Sequence, residues 1–519
     1  MFKAYSRRFC FASLIAAQPN RKLGDAARWK SLVGLEIHAQ ILTPLKAFSR
    51  APSAFDRTPN TTVALFDAAL PGSLPVLNAS CVRAALATAL ALSCRVNRRS
   101  TFDRKHYFYH DLPAGYQITQ ARVPLAVDGE LFVPNADWST EKRVRVRQLH
   151  LEHDSARASI DESTGLTLVD LNRSGVGLVE IVTEPDITCG REAARFVKEL
   201  RALLVAIETC DGDASEGSLR VDANVSVHGS GSLGTVTEIK NVGKPRLLEK
   251  AVDYEIRRQV ELLEQGKAVQ RETRGFDVKR GITVSMRGKG SDAHDYQFMP
   301  EPDLPPVVVS ESTLEKIRES LPSIPATRRR TLVKEHGIFL RDSAWLIDND
   351  AQNYFQKTMN LCPDVDSKFV MKWTKGSLAG LLRKTKSASF ETSPVSPRQF
   401  ASLLRLVLRE TITKLTADRV LARMIDGDRN DADVIVERKS WKLIKDRAEI
   451  EAMCDVAFHK QDRTPPPRAD VSDDSESIER ALAHYAGRVQ READGRIHPQ
   501  TLRQVLLQRL GGARRRPEE

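Results

Sequence analysis

A chain of 519 residues exceeds what one hydrophobic core accommodates, and 41% hydrophobic with 28% charged residues is the make-up of a globular protein of several domains. The net charge of +11 points to an anionic partner, although Lys3, Arg7, Arg8, Arg21 and Lys22 lie in an acid-free first 24 residues, and removing those five leaves +6 for the rest. The seven cysteines, odd in number and never closely paired, argue against a disulfide framework and against a CxxC zinc site.

The opening residues, MFKAYSRRFCFASLIAAQPNRKLG, are basic, acid-free and partly amphipathic, the composition of a mitochondrial transit peptide. A secretory signal with Phe9 to Ala17 as its apolar region is the rival, but that region is short and more arginine follows it. The apolar stretch from Ala84 to Cys94, bracketed by Arg83 and Arg95, falls short of the ~20 residues of a membrane span and reads as a buried helix.

From about residue 30 to 306, short β-like runs alternate with turns. Ser31–Ile41, Val144–Leu151, Leu166–Leu171, Gly177–Val182, Ser218–Val227 and Thr235–Ile239 read as strands, several with apolar and polar residues in alternation. Helical patterns interrupt them at Cys81–Leu92, Glu192–Ile207 and Leu247–Gln265. The pattern is that of an α+β domain on a mainly antiparallel sheet, closed by the Pro-rich turn Met299–Pro306. Beyond Ser310 the chain reads as almost wholly helical: Glu311–Leu321, Ala326–His336, Ser343–Met359, Lys368–Thr385, Arg398–Glu410, Ala417–Ile425 and Trp441–Lys460. Ser393-Pro-Val-Ser-Pro397 has the serines and early proline of a helix start. A polar linker around Pro465–Pro467 precedes a helix near Ile478–Glu492 and a last one after Pro499.

There is no GxxxxGKS loop, no GxGxxG opening a helix, no GxSxG elbow, no HExxH and no serine-rich amidase segment with a lysine partner. Acidic residues and histidines are instead spread over the strands. Glu36 and His38, two apart, share one strand face, as do His150 and Glu152. Glu180 lies in a strand with Glu184 at its end, and Arg220, Asp222 and Asn224 project together. Carboxylates and a histidine converging on one face would hold Mg²⁺ or Mn²⁺, hard cations that take oxygen ligands and bridge nucleotide phosphates. The bland alternative is an antiparallel sheet turning its polar side chains to solvent. Phe102–Asp111 interleaves aromatics with Arg104, Lys105, His106 and His110, which suits base stacking and phosphate contact, and equally suits a buried aromatic strand with charged edges. The closing Arg514–Arg516 reads as a solvated tail.

These motifs resemble a known family. Gly34-Leu-Glu-Ile-His-Ala-Gln40, Tyr107–Tyr109 with Asp111–Gln120, Asn172-Arg173 through Glu180–Asp186, Glu216–Arg220, Thr237–Asn241, Glu272–Arg274, Pro300–Pro306 and Ser393–Pro397 are similar, in this order, to the B subunits of the aspartyl/glutamyl-tRNA amidotransferases. The resemblance runs over essentially the whole chain after the leader. It implies a transit peptide over 1–28, a catalytic cradle domain for ATP, Mg²⁺ and the tRNA 3′ end over 29–306, a helical domain over 307–408, and a tRNA-binding helical tail over 409–519. It implies ATP-dependent phosphorylation of the glutamate carried by Glu-tRNA(Gln), then amidation with ammonia released by an amidase, the A subunit. A small C subunit completes the implied heterotrimer, which works in the mitochondrial matrix.

By the same resemblance, Glu36, His38, Glu152 and Glu180 hold Mg²⁺, while Glu184, Glu216, Arg220, Asp222 and Asn224 line the cavity. Lys240 and Arg274 are candidates for phosphate contacts. Departures are specific. Ser49 to Leu70 lacks the cysteines of relatives that bind zinc there, so no zinc is expected; His153 interrupts a usual Glu-Glu-Asp; Ser215 replaces a Glu, and Gln297 an Arg. A non-catalytic tRNA-binding scaffold and an unrelated carboxylate–amine ligase acting on a free metabolite remain as alternatives.

Overall fold

The computed structural model describes residues 28–53, 57–135, 137–213, 217–229, 233–286, 296–385, 389–459 and 475–512. The expected leader up to residue 27, Glu216, the Pro465–Pro467 linker and Arg514–Arg516 lie outside them. Two compact units divide the chain, the first ending at Arg328 and the second beginning at Arg329.

The first unit is built on a nine-stranded sheet. Its strands in chain order are β1 (Lys30–Gln40), β2 (Arg95–Val96), β3 (Ala126–Pro134), β4 (Glu141–His153), β5 (Gly177–Thr183), β6 (Leu219–His228), β7 (Thr237–Ile239), β8 (Thr273–Asp277) and β9 (Ile282–Met286). Their spatial order is β9-β8-β7-β6-β1-β5-β4-β3-β2, and every neighbouring pair is antiparallel except β7 with β8. The expected mainly antiparallel α+β architecture is therefore present.

Alternation sorts the side chains of this sheet into two layers. Val33, Leu35, Ile37 and Ala39 of β1, Val179 and Ile181 of β5, and Leu219, Val221, Ala223 and Val225 of β6 are buried in one core. Helices α1 (Ala79–Ala91), α2 (Gly190–Ala206) and α3 (Pro245–Glu264) supply Cys81, Leu86, Phe196, Leu200, Leu248 and Val252 to that core. Each such Val, Leu, Ile or Phe contributes roughly 1.5–3 kcal/mol by leaving water, so a one-residue slip of any central strand is heavily penalised. Register is thereby held, and it decides what meets on the opposite face.

Strand β4 adds an irregularity. Its pairing with β5 shifts by one residue between Val182 and Thr183, with Arg147 as the extra residue. Val144 and Val146 on one side of the shift, and Leu149 and Leu151 on the other, consequently all reach the core. His150 and Glu152 are turned to the other face.

A smaller sheet of Gln297–Pro300, Asp103–His106 and Tyr116–Thr119 carries Lys105. Arg104 ties it to the Pro-rich turn, its guanidinium donating to Glu301 at 2.8 and 3.1 Å and to Asp303 at 2.9 Å. The first unit continues past residue 306, because α4 (Glu311–Ser320) inserts Leu314 and Ile317 into the same core. Leu166–Leu171, expected as a strand, pairs over Thr167–Asp170 with Arg157–Ile160 in a separate two-stranded ribbon.

The described residues of the second unit are helical. The stretch expected as one helix over Ser343–Met359 is two, Leu340–Asp348 and Gln352–Leu361, because Asp350 turns with φ of 50°. Lys368–Thr385 forms a run containing a π-helical turn at Thr374–Leu378. Ser396 caps Pro397–Leu408 in a capping box with Gln399, as its serines and proline indicate. A short helix, Ala432–Arg438, was not legible. One core spans Leu332 to Val436 and a second spans Ile444 to Leu506, so the first crosses the 408/409 division that the resemblance implies.

Helices α2 and α3 meet at Gly190, the first residue of α2. A Cβ there would lie 2.1 Å from the backbone oxygen of Glu249, while the Gly190 N–H donates to Asp253 Oδ1 at 2.7 Å. Gly190→Ala is expected to destabilise the first unit by about 2–3 kcal/mol, lowering its urea midpoint with an unchanged slope. A wild-type midpoint would contradict this packing.

Candidate active site

The face of the sheet turned away from the helices floors a cavity of about 780 Å³. Register assembles its centre. His38 of β1 lies opposite Glu180 of β5 on one side and Arg220 of β6 on the other; Glu36 lies opposite Asp222, and Glu180 opposite His150 of β4. His38 Nε2 stands 3.4 Å from Glu152 Oε1, 3.4 Å from Glu180 Oε2 and 3.8 Å from Glu36 Oε1. His150 Nε2 is 2.8 Å from Glu180 Oε2 and fixes that carboxylate from behind.

Three carboxylates so close cannot all stay charged and buried without counter-charge. Glu152 is only 2% exposed and Glu180 6%. Burial and the neighbouring Glu180 carboxylate push Glu36 up to about 7. Burial would lower His38, but Glu180 and Glu152 outweigh it and raise its pKa well above the usual value. Burial would likewise raise Glu180, yet His150 and His38 hold it well below the carboxylate range. Protons on the imidazoles thus balance the acids.

Facing ligand atoms of Glu36, His38 and Glu180 lie within 4.8 Å of one another, as do those of His150, Glu152 and Glu180. Glu152 Oε2 and His150 Nδ1 are buried without a hydrogen-bond partner. A converging set of carboxylate oxygens with an imidazole, one oxygen unsatisfied, fits a divalent cation of the Mg²⁺ or Mn²⁺ type.

Cations ring this centre. Lys105, Arg220 and Lys240 line the cavity. Burial works against the charge of Lys105 and of Lys240, but Glu152 and Glu180 for the first, and Glu238 for the second, raise both. Asp154 raises Arg220 and accepts from its guanidinium at 2.8 Å. Arg173 reaches the same wall, donating to the backbone oxygens of Ser155 and Ala156 at 2.9 and 2.7 Å.

Glu36, His38, Glu152, Glu180, Arg220, Asp222 and Lys240 therefore share one cavity. Asn224 shares their strand face without lining it. Glu184 stands outside: it lies just past the end of β5 and makes a two-pronged pair with Arg147 at 3.0 and 3.0 Å. Arg274 does not line the cavity: it is buried and donates to Thr283 Oγ1 at 2.9 Å, Thr283 O at 2.7 Å and Glu272 at 2.6 Å. Glu216 lies outside the described residues. Tyr107, Asp111, Asp154, Arg173, Glu238 and Tyr296 were not singled out as site residues. Glu238 comes from β7 and the others from loops, where only the aromatic-cation segment and the motifs around them hinted at a role.

His153 faces away from the cavity. Its Nδ1 accepts from the Ile118 N–H at 3.2 Å, and its ring packs edge-on against Phe48 at 5.8 Å. Burial lowers its pKa to about 4. Between the ordinary histidine value and about 4 the unfolded chain binds the extra proton, so stability falls as pH drops through that window, by on the order of 1 kcal/mol per pH unit. His153→Gln keeps an acceptor but does not titrate; its urea midpoint should fall less steeply from pH 6.5 to 4.5 than that of wild type. Parallel curves would contradict the assignment.

Among known proteins, the chain is similar to members of one family. Residues 31–315 match the GatB/GatE catalytic domain, and residues 353–510 match the GatB domain. The chain is 40% identical over 516 residues to the human protein named as the B subunit of the mitochondrial glutamyl-tRNA(Gln) amidotransferase, covering 96% of this chain and 91% of that one. The Danio rerio protein of the same name is 40% identical over 512 residues, 94% of this chain and 91% of its own length. The B subunit of the aspartyl/glutamyl-tRNA(Asn/Gln) amidotransferase of Pelagibacter ubique is 38% identical over 486 residues, 93% and 96% of the two chains.

Proposed function

The chain belongs to the family of amidotransferase B subunits, and from that premise we propose that it is the catalytic B subunit of a glutamyl-tRNA(Gln) amidotransferase. Such an enzyme converts Glu-tRNA(Gln) to Gln-tRNA(Gln) at the expense of ATP. A γ-carboxylate oxygen of the tRNA-borne glutamate attacks the terminal phosphorus of ATP, the bond to ADP breaks, and an acyl phosphate forms. Ammonia adds to the acyl carbon, loses a proton and expels inorganic phosphate.

The observation that carries the reading is the convergence of Glu36, Glu152 and Glu180 on His38 within 3.4 to 3.8 Å. A scaffold freed of catalysis has no need to bury carboxylates in this way. Glu36, His38, Glu152 and Glu180 would hold Mg²⁺, which when bound offsets the charge between ATP and the attacking carboxylate. His150 orients Glu180 through their 2.8 Å contact. Lys105, Arg220 and Lys240 remain charged and bind anionic phosphate oxygens, so the chain's own part is positioning and charge balance.

Ammonia comes from a separate amidase, with a small third subunit completing the complex; this chain has none of the amidase motifs. The helical tail over 409–519, within the second unit, holds the tRNA body. Names of the two vertebrate relatives, together with the basic, acid-free first 24 residues, support action in the mitochondrion, in the matrix. Among the described residues no helix is long and apolar enough to cross a membrane.

Glu180→Gln in the reconstituted complex should lower ATP-dependent Gln-tRNA(Gln) formation by roughly 100-fold or more, with ammonium chloride replacing glutamine as the nitrogen source. Tight tRNA binding and basal glutaminase activity should survive. Gln-tRNA formation at the normal rate by this variant would overturn the placement of the site.

A further inference from the structure

The segment Phe102–Asp111, conspicuous in the sequence for interleaving aromatics and cations, contributes Lys105, Tyr107, Tyr109, His110 and Asp111 to the cavity wall. Phe108 alone among its late aromatics is left over: it is 86% exposed and does not line the cavity. Its ring lies against Gly115, where a Cβ would come within 3.0 Å of Phe108 Cε1; with φ of +70° that position favours glycine, and the bare backbone leaves the ring its seat.

The two sequence neighbours of Phe108 belong to a row of rings along the cavity wall. Tyr109 stands 6.1 Å from Tyr107 and Tyr107 5.5 Å from Tyr296, centroid to centroid, and the Lys105 ammonium sits 4.5 Å above the Tyr296 ring. Phe298, half exposed, lines the same cavity. Aromatic rings in a cavity wall that also carries Lys105, Arg220 and Lys240 match the needs of an unpaired nucleic-acid strand, whose bases stack and whose phosphates seek positive charge.

We propose that Phe108 is the outer stacking platform for the single-stranded 3′ end of the substrate RNA. A base on Phe108 and a reacting carboxylate at His38 require a ligand that extends from solvent into the cavity. A polynucleotide end carrying its amino acid does so. A ligand held wholly among Lys105, Arg220 and Lys240 inside the cavity would not touch Phe108, which does not line it. Stacking on one ring reads no sequence, which suits an end common to many RNAs. The inference rests on the aminoacyl-tRNA reading above and adds the residue that receives the strand.

The test uses the reconstituted complex and two probe tRNAs with 2-aminopurine at the last or the last-but-one unpaired position, whose fluorescence is quenched on stacking. Wild type should quench one of them, Phe108→Ala should lose that quenching, and Phe108→Tyr should restore it. In steady state Phe108→Ala should raise KM for Glu-tRNA(Gln) roughly 5- to 100-fold, the span expected of one base stacked on an aromatic ring, with KM for ATP unchanged. Unchanged quenching and KM in Phe108→Ala would overturn the proposal, as would a shift confined to KM for ATP. If the wild-type complex quenches in a Phe108-dependent manner yet forms no Gln-tRNA, the stacking platform stands and the catalytic reading falls.

Discussion

The structure of the first unit turns on one electrostatic constraint: the Glu36, Glu152 and Glu180 carboxylates are gathered around His38, with Glu152 and Glu180 buried and Glu36 only partly open to water. Like charges at such separations repel strongly in a low dielectric, and only positive charge supplied from within makes the arrangement stable. His38 and His150 supply it as protons, and a divalent cation would supply it in their place, with release of those protons. Lys105, Arg220 and Lys240 extend the same balance outward, where phosphates would meet it.

Holding that cluster in place is the task of the hydrophobic layer on the other side of the sheet. The residues that alternate with the acids, Leu35 and Ile37 beside Glu36, Val179 and Ile181 around Glu180, Leu149 and Leu151 around His150, are buried against the helices. Slipping β1 by one position would expose its apolar set and disperse the cluster together. Behind the cavity wall, a second buried charge pair works in the same sense: Lys46 Nζ donates to Asp67 Oδ2 at 3.0 Å and to the Leu171 carbonyl at 3.3 Å, steadying the turn that presents Arg173.

Much of this was legible because it is local. Period-two spacing put Glu36 with His38, His150 with Glu152 and Arg220 with Asp222, and the α+β class followed from strand-like and helical runs. Register was not legible. Nothing in one sequence states that His38 lies opposite Glu180, or that a bulge at Arg147 turns Val146 and Leu149 to the same side. Period-two counting sets Glu184 on the face of Glu180, but it lies past the end of β5 and pairs there with Arg147. Arg274 sat in a suggestive motif, yet Thr283 and Glu272 satisfy its guanidinium through contacts that only the fold creates. Lys105 and Tyr296 come from strands and loops remote in sequence, and their meeting depends on the small sheet.

The most direct measurement is pulsed electron paramagnetic resonance of Mn²⁺ bound to the complex, read for coupling to ¹⁴N. The account expects Mn²⁺ to bind with an imidazole nitrogen in its coordination sphere, and expects His38→Gln to abolish that coupling although His150 remains. Nitrogen coupling that survives His38→Gln, or Mn²⁺ bound through oxygen alone in wild type, would contradict a cation held by His38 and its three carboxylates.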